Sequence, residues 1–189
     1  MVSIPRKDYS ICRYEVTQAL WQAVMGDNPS AFKCADLPVE NVSWDDCQEF
    51  LKKLNALPEV KKSGVVYRLP TADEWEYASR AGSTGEYGLL ADGKEGTLDE
   101  MGWYDDNSGD KTHSVGKKKP NAFGLYDMHG NVWEWTSTAD GDYRVICGGS
   151  WYGDARYCES GYRDRCSPGC RVHDLGFRLA CDRTAKEGE

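Results

Sequence analysis

The sequence predicts one loop-rich α+β domain with two main helices and small antiparallel sheets. Three observations carry that prediction. Capped helical patterns cluster in the first half, short alternating runs fill the second, and 189 residues fit a single domain. The composition agrees, with 7 Trp and 11 Tyr against 4 Phe, and 20 Gly. Large amphipathic rings fill an irregular core while their N–H and O–H groups bond loop backbone.

Thr17 is placed to cap a short helix with Ala19, Leu20, Ala23 and Val24 inward, ended by the turn-forming run 26-GDNPSAF-32. Ser43 caps a longer helix carrying Trp44, Cys47, Phe50, Leu51 and Leu54 at helical spacing. The β-rich run 65-VVYRL-69 leads into a third helix, where Thr71 and Glu74 form a T-x-x-E capping box ahead of Trp75, Tyr77 and Ala78. From Gly82 to about Lys119 the chain turns to Gly, Asp, Ser and Lys, which predicts long surface loops anchored by Trp103 and Tyr104. Strand-like pieces follow at Trp133–Trp135, 144-RVICGGSW-151 and 175-LGFRLA-180. Residues 184–189 read as a frayed tail.

Charge and motif content exclude several function classes. With 23 Lys+Arg against 31 Asp+Glu the net charge is -8, which disfavours nucleic acid as a partner. No apolar run approaches the ~18 residues of a membrane span, so this domain is not expected to insert into a bilayer. The 8 Cys (12, 34, 47, 147, 158, 166, 170, 181) contain no C-x-x-C pair, which disfavours a zinc ribbon and leaves the redox compartment open. His113, His129 and His173 have no triad-like neighbours, and no G-x-S-x-G, P-loop or H-E-x-x-H run occurs.

Six motifs in order resemble the formylglycine-generating (sulfatase-modifying) enzyme family and its C-type-lectin-like fold. They are 14-YEVTQALWQAVMG-26, 38-PVENVSWDDCQEFLKKLN-55, 67-YRLPTADEWEYASRAG-82, 120-PNAFGLYDMHGNVWEWT-136, 147-CGGSW-151 and 176-GFRLA-180. The enzymes of that family oxidise a target cysteine with a copper-binding cysteine pair just after the GGS motif. On this sequence the second position falls on Cys158 and the first on Gly153. A soft Cu(I) ion needs paired thiolates, so neither copper nor catalysis is expected. Relocation of the partner to Cys166 or Cys170 is the route by which oxidase activity would survive. A purely structural surface domain is a third reading.

The same resemblance implies calcium near 127-DMHGNVWE-134, with Asp127, Gly130, Val132 and Glu134 as hard oxygen ligands in a structural role. The alternative is that Glu134 only receives loop N–H groups while Asp127 caps a turn.

Between GGSW and GFRLA lies 152-YGDARYCESGYRDRCSPGCRVHD-174, with no amphipathic period and no Lys, Gln, Met, Trp or Phe. Glu159 is the exception among residues whose codons end only in purines, as expected where the first two letters of AAY codons are randomised. In that frame the segment resembles the variable region of diversity-generating-retroelement proteins of the treponemal variable-protein type. The resemblance implies a variable region over 144–178 within a single domain spanning 1–189. It assigns a ligand-binding set of Tyr152, Gly153, Asp154, Tyr157, Asp164, Arg165, Cys166, Ser167, Gly169, Cys170, Val172, His173 and Asp174. Arg156, Arg163, Pro168 and Arg171 are assigned to the scaffold. Tyr, Arg, Ser, Gly and Asp suit adaptable recognition surfaces.

Residues 144–178 carry six Arg against four acids, which slightly favours an acidic or mixed partner surface. The expected ligand is a protein or peptide, and the domain is expected to be a monomer. It is expected on a bacterial cell surface, lipid-anchored through a segment outside this sequence.

Overall fold

The first and last described strands share one sheet of the computed structural model, which describes residues 1–182. The predicted tail at 184–189 lies outside the described residues. Strands β1 (Val2–Ser3) and β2 (Tyr9–Ile11) form a hairpin, and β2 pairs antiparallel with the last strand, Ala180–Asp182. The short strand β3 (Tyr67–Arg68) closes the other edge.

Helix α1 (Gln18–Met25) starts at Thr17, whose side chain accepts from the Leu20 amide. Its inward face differs from the predicted one. Gln18 and Trp21 are buried, whereas Ala19, Leu20 and Ala23 are exposed. Gln18 is buried because its amide ties the following loop together. It donates to the carbonyls of Phe32 and Pro38 and accepts from Asn28 and the Cys34 amide. Trp21 stacks on Phe50 at 5.3 Å, and Phe177 meets both rings edge-on.

Helix α2 (Trp44–Ala56) carries the predicted Ser43 cap, completed by Asp46, and buries Cys47, Phe50, Leu51 and Leu54. A one-turn extension, α3 (Pro58–Ser63), follows it. Helix α4 (Ala72–Arg80) has the predicted Thr71–Glu74 capping box and places Trp75 and Ala78 inward. The loop from Gly82 contains two single turns, α5 (Leu98–Met101) and α6 (Asp105–Ser108). It is pinned as expected, with Tyr104 buried and Trp103 stacked on His113 at 3.7 Å.

The second sheet has the order β6-β5-β4-β7, formed by β4 (Trp133–Asp140), β5 (Tyr143–Cys147), β6 (Arg163–Cys166) and β7 (Leu175–Gly176). A bulge lies in the β4–β5 pair, and β7 runs parallel to β4. The predicted strand 175–180 is therefore split. Leu175–Gly176 belongs to the second sheet, and Ala180 begins β8 (Ala180–Asp182) in the first. Residues 177–179 bridge the sheets, burying Phe177 and Leu179 in one core and Arg178 between them.

Candidate ligand-binding face

Strand alternation decides what the variable segment displays. Residues paired across a sheet share a face, and Asp164 of β6 opposes Ile146, which opposes Trp135. Asp164 and Cys166 thus stand on the face that carries Trp133 and Trp135. Arg163 and Arg165 stand on the other, where Arg163 bonds Asp73 and Glu76, and Arg165 bonds Asp140.

Ahead of β6 the chain leaves β5 through Gly148 and Gly149, both with positive φ. A Cβ on Gly149 would sit 2.5 Å from the Cys158 sulfur and 2.9 Å from the Tyr157 carbonyl carbon, so only glycine lets this turn pass beneath the segment. A 3₁₀ turn, Ala155–Cys158, then carries Tyr157 outward and Cys158 inward.

A concavity of about 320 Å³ opens here, lined by Trp133, Ser150, Tyr152, Gly153, Asp154, Tyr157, Asp164 and Asp174. Six of these eight are residues the sequence assigned to the face. Trp133, Tyr157 and Tyr162 form an aromatic cluster, with centroids 5.1–6.2 Å apart. Ser150 donates to Asp174 at 2.8 Å, which fixes that carboxylate, and the Asp174 carbonyl accepts from the Trp133 amide. His173 adjoins the rim through ring contacts with Trp151 and Tyr152.

The remaining assigned residues lie away from the concavity. Ser167, Gly169 and Val172 are exposed on the loop before β7, which is tied to the start of α2 by the Asn41 amide to Val172 and the Trp44 amide to Pro168. Cys166 and Cys170 are half-buried, pack on the core, and lie close enough to interact; burial and Cys170 push the Cys166 thiol up to about 12. None of the thirteen assigned side chains is buried, whereas Cys158 and Ser160 between them are. The sequence assignment did not include Trp133, Ser150 and Tyr162, and it treated Arg156 as scaffold. Arg156 lies over the Tyr157 ring at 4.6 Å and 3.7 Å from Asp154. Alternation through Trp133–Trp135 was the available signal for Trp133, and none marked Ser150.

The expected electrostatics are reversed at the concavity. Three aspartates and no basic residue line it. Apart from Arg156 at its rim, the arginines counted in the sequence are engaged elsewhere: Arg163 and Arg165 as above, Arg171 with Asp46, Arg144 over Trp44, and Arg178 with Glu134.

Cys158, at the second family cysteine position, is fully buried, and burial pushes its thiol up to about 12. Its carbonyl bonds the buried His129 ring, whose pKa burial lowers to about 4. Cys158 packs with Leu98 and Tyr104, while Cys166 and Cys170 pack against the other core, so neither adjoins it within one cluster. All eight cysteines are free thiols.

Beneath the face, Glu134 is fully buried and bonds Arg178 through both oxygens at 2.7–2.9 Å, with the Trp75 indole donating to it as well. Arg178 also donates to the carbonyls of Cys12, Tyr126 and Asp127. Burial works against this guanidinium, but Glu134, Glu15 and Asp127 outweigh it and hold its pKa up. Asp127 accepts from the Gly116 amide with one oxygen and leaves the other without a partner. Burial raises Asp127 to about 6 and raises Glu15 well above the usual carboxylate range.

As arranged, both Glu134 oxygens are taken, whereas one Asp127 oxygen has no partner. Arg178 and Trp75 occupy the Glu134 oxygens, and Arg178 is the positive charge facing Glu134, Glu15 and Asp127. Among the described residues no three His, Cys, Asp or Glu are grouped to hold a metal.

Residues 2–183 match the domain family described as sulfatase-modifying factor enzyme 1-like. The chain belongs to this family. Chaperone protein LppX of Paenibacillus barcinonensis is 31% identical over 94% of the chain and 81% of its own length. Inactive C-alpha-formylglycine-generating enzyme 2 of Bos taurus is 30% identical over 92% of the chain. Formylglycine-generating enzyme of Mus musculus is also 30% identical, over 88% of the chain. The chain spans 60% and 50% of those two relatives.

Among solved structures, Treponema denticola variable protein 1 superposes with a TM-score of 0.82 at 36% identity, covering 92% of this chain and 84% of that one. The fold is therefore of the formylglycine-generating-enzyme type, shared with a treponemal variable protein.

Proposed function

We propose that this is a ligand-binding protein whose variable region, 144–178, displays a face diversified by a retroelement. The observation that carries this reading is the exposure of one irregular segment around a concavity. The assigned positions are all at least partly exposed, six of them around one concavity, while Cys158 and Ser160 between them are buried. The likeness to Treponema denticola variable protein 1 supports it. The ligand is a protein or peptide, bound by a monomeric domain displayed on a bacterial surface through a lipid anchor outside this sequence.

The reading includes no oxidase activity. The position matching the first family cysteine is Gly153, and the surviving thiol is buried and protonated at neutral pH. Aldehyde formation on a Cys-x-Pro-x-Arg peptide with copper supplied tests this. No turnover is expected, and turnover abolished by Cys158→Ser would overturn it in favour of a formylglycine-generating oxidase.

A further inference from the structure

We propose that the concavity takes a basic side chain, Arg or Lys, of a polypeptide ligand; this rests on the binding-face reading above and assigns the chemistry of its centre. Asp154, Asp164 and Asp174 approach from three separate stretches of chain: the turn before Ala155–Cys158, strand β6, and the loop entering β7. Trp133 and Tyr157 supply aromatic walls between them. A guanidinium or ammonium gains charge-assisted hydrogen bonds from such carboxylates, and ring faces attract it through their quadrupoles. An anionic ligand would meet three like charges against the one rim cation, Arg156.

Arg163, Arg165 and Arg171 are turned onto scaffold acids on the far face of β6 and at α2, which leaves Arg156 as the one arginine beside the three aspartates. Arg156 on the rim already rests on one edge of this constellation, over Tyr157 and beside Asp154, so the pairing of acid and ring accommodates a guanidinium. The Ser150 bond holds Asp174 in place, so part of the ordering cost of binding is met before the ligand arrives.

The test is titration of the protein with acetyl-arginine amide, followed through the Trp133 indole N–H by NMR, with acetyl-citrulline amide as the neutral isostere. Saturable binding is expected, with citrulline weaker by about tenfold or more. Asp154→Asn combined with Asp164→Asn should weaken arginine binding about fivefold or more without lowering Tm, since both side chains are exposed. Equal binding of citrulline, unchanged affinity in the double variant, or no binding of arginine would each overturn the proposal.

A random peptide library separates this failure from that of the broader reading. Selected peptides with basic residues, losing affinity in the double variant, support the proposal. Peptides that bind the face without any basic residue overturn it and leave the binding face standing. If no peptide binds in a manner sensitive to Tyr152, Asp154 or Asp164, both readings fall.

Discussion

Replacing Tyr152, Asp154, Asp164, Arg165 and His173 together by alanine should leave the fold standing. All five side chains are exposed, Tyr152 at 65%. Surface substitutions usually move stability by about ±0.5 kcal/mol each, and the exposed Arg165–Asp140 pair is worth about 0.2–1 kcal/mol. Because such contributions take either sign and partly cancel, the combined change should stay within about 2 kcal/mol. An unfolding entropy of about 2.1 cal/mol/K per residue gives about 0.4 kcal/mol/K for this chain, so Tm should fall by no more than about 5 °C.

Asp174 is left out of the set because it accepts the Ser150 hydroxyl and is half-buried. The contrasting variant is Trp135→Ala. That indole is fully buried and donates to the Val42 carbonyl, so truncation should cost about 3–5 kcal/mol and about 8–12 °C. Thermal melts followed by circular dichroism compare the two. A quintuple variant that melts as low as Trp135→Ala would show that these positions are core and refute the separation of face from scaffold.

Three further outcomes follow from the buried charges. Arg178→Met strands Glu134 and should destabilise by about 3–5 kcal/mol in urea melts, with Glu134→Gln in the same chain recovering part of it; a neutral single variant would contradict the pairing. Burial raises Glu40 to about 7, so the native state holds its proton where the unfolded chain has lost it. Stability should therefore fall as pH rises from 4.5 to 7, by about 2–3 kcal/mol, and Glu40→Gln should flatten that slope in melts taken across the range. Calcium should leave Tm unchanged against EGTA, whereas a site filled at a hundred times its Kd would add about 2.7 kcal/mol.

Much of the scaffold was legible because its signals are local. The caps at Thr17, Ser43 and Thr71 each need only a side chain and an amide three residues on, and all three form. The inward face of α1 was not legible. Gln18 is buried by bonds to residues 28–38, a partnership that no helical period reveals. The split of 175–180 between two sheets was equally hidden, because Phe177 and Leu179 read as alternation in either arrangement.

At the face, composition and frame pointed to the segment but not to its electrostatics. Summed charge over 144–178 is positive, yet Arg144, Arg163, Arg165 and Arg171 each meet an acid or ring from α2, α4 or β4, and three aspartates are left around the concavity with Arg156 at its rim. Alternation marks Trp133 as a strand residue, but its place at the pocket depends on the β4–β7 pairing, which is known only once the sheet is assembled.

The central claim, that residues 152–174 form a diversified binding face, is tested most directly in the DNA around the gene. A near-copy of the codons for this segment is expected beside a reverse-transcriptase gene. Its differences should fall where the copy has adenine and should map to the thirteen assigned positions. Absence of any such copy from the genome, or differences scattered equally over Cys158, Ser160 and the GGSW frame, would contradict the account.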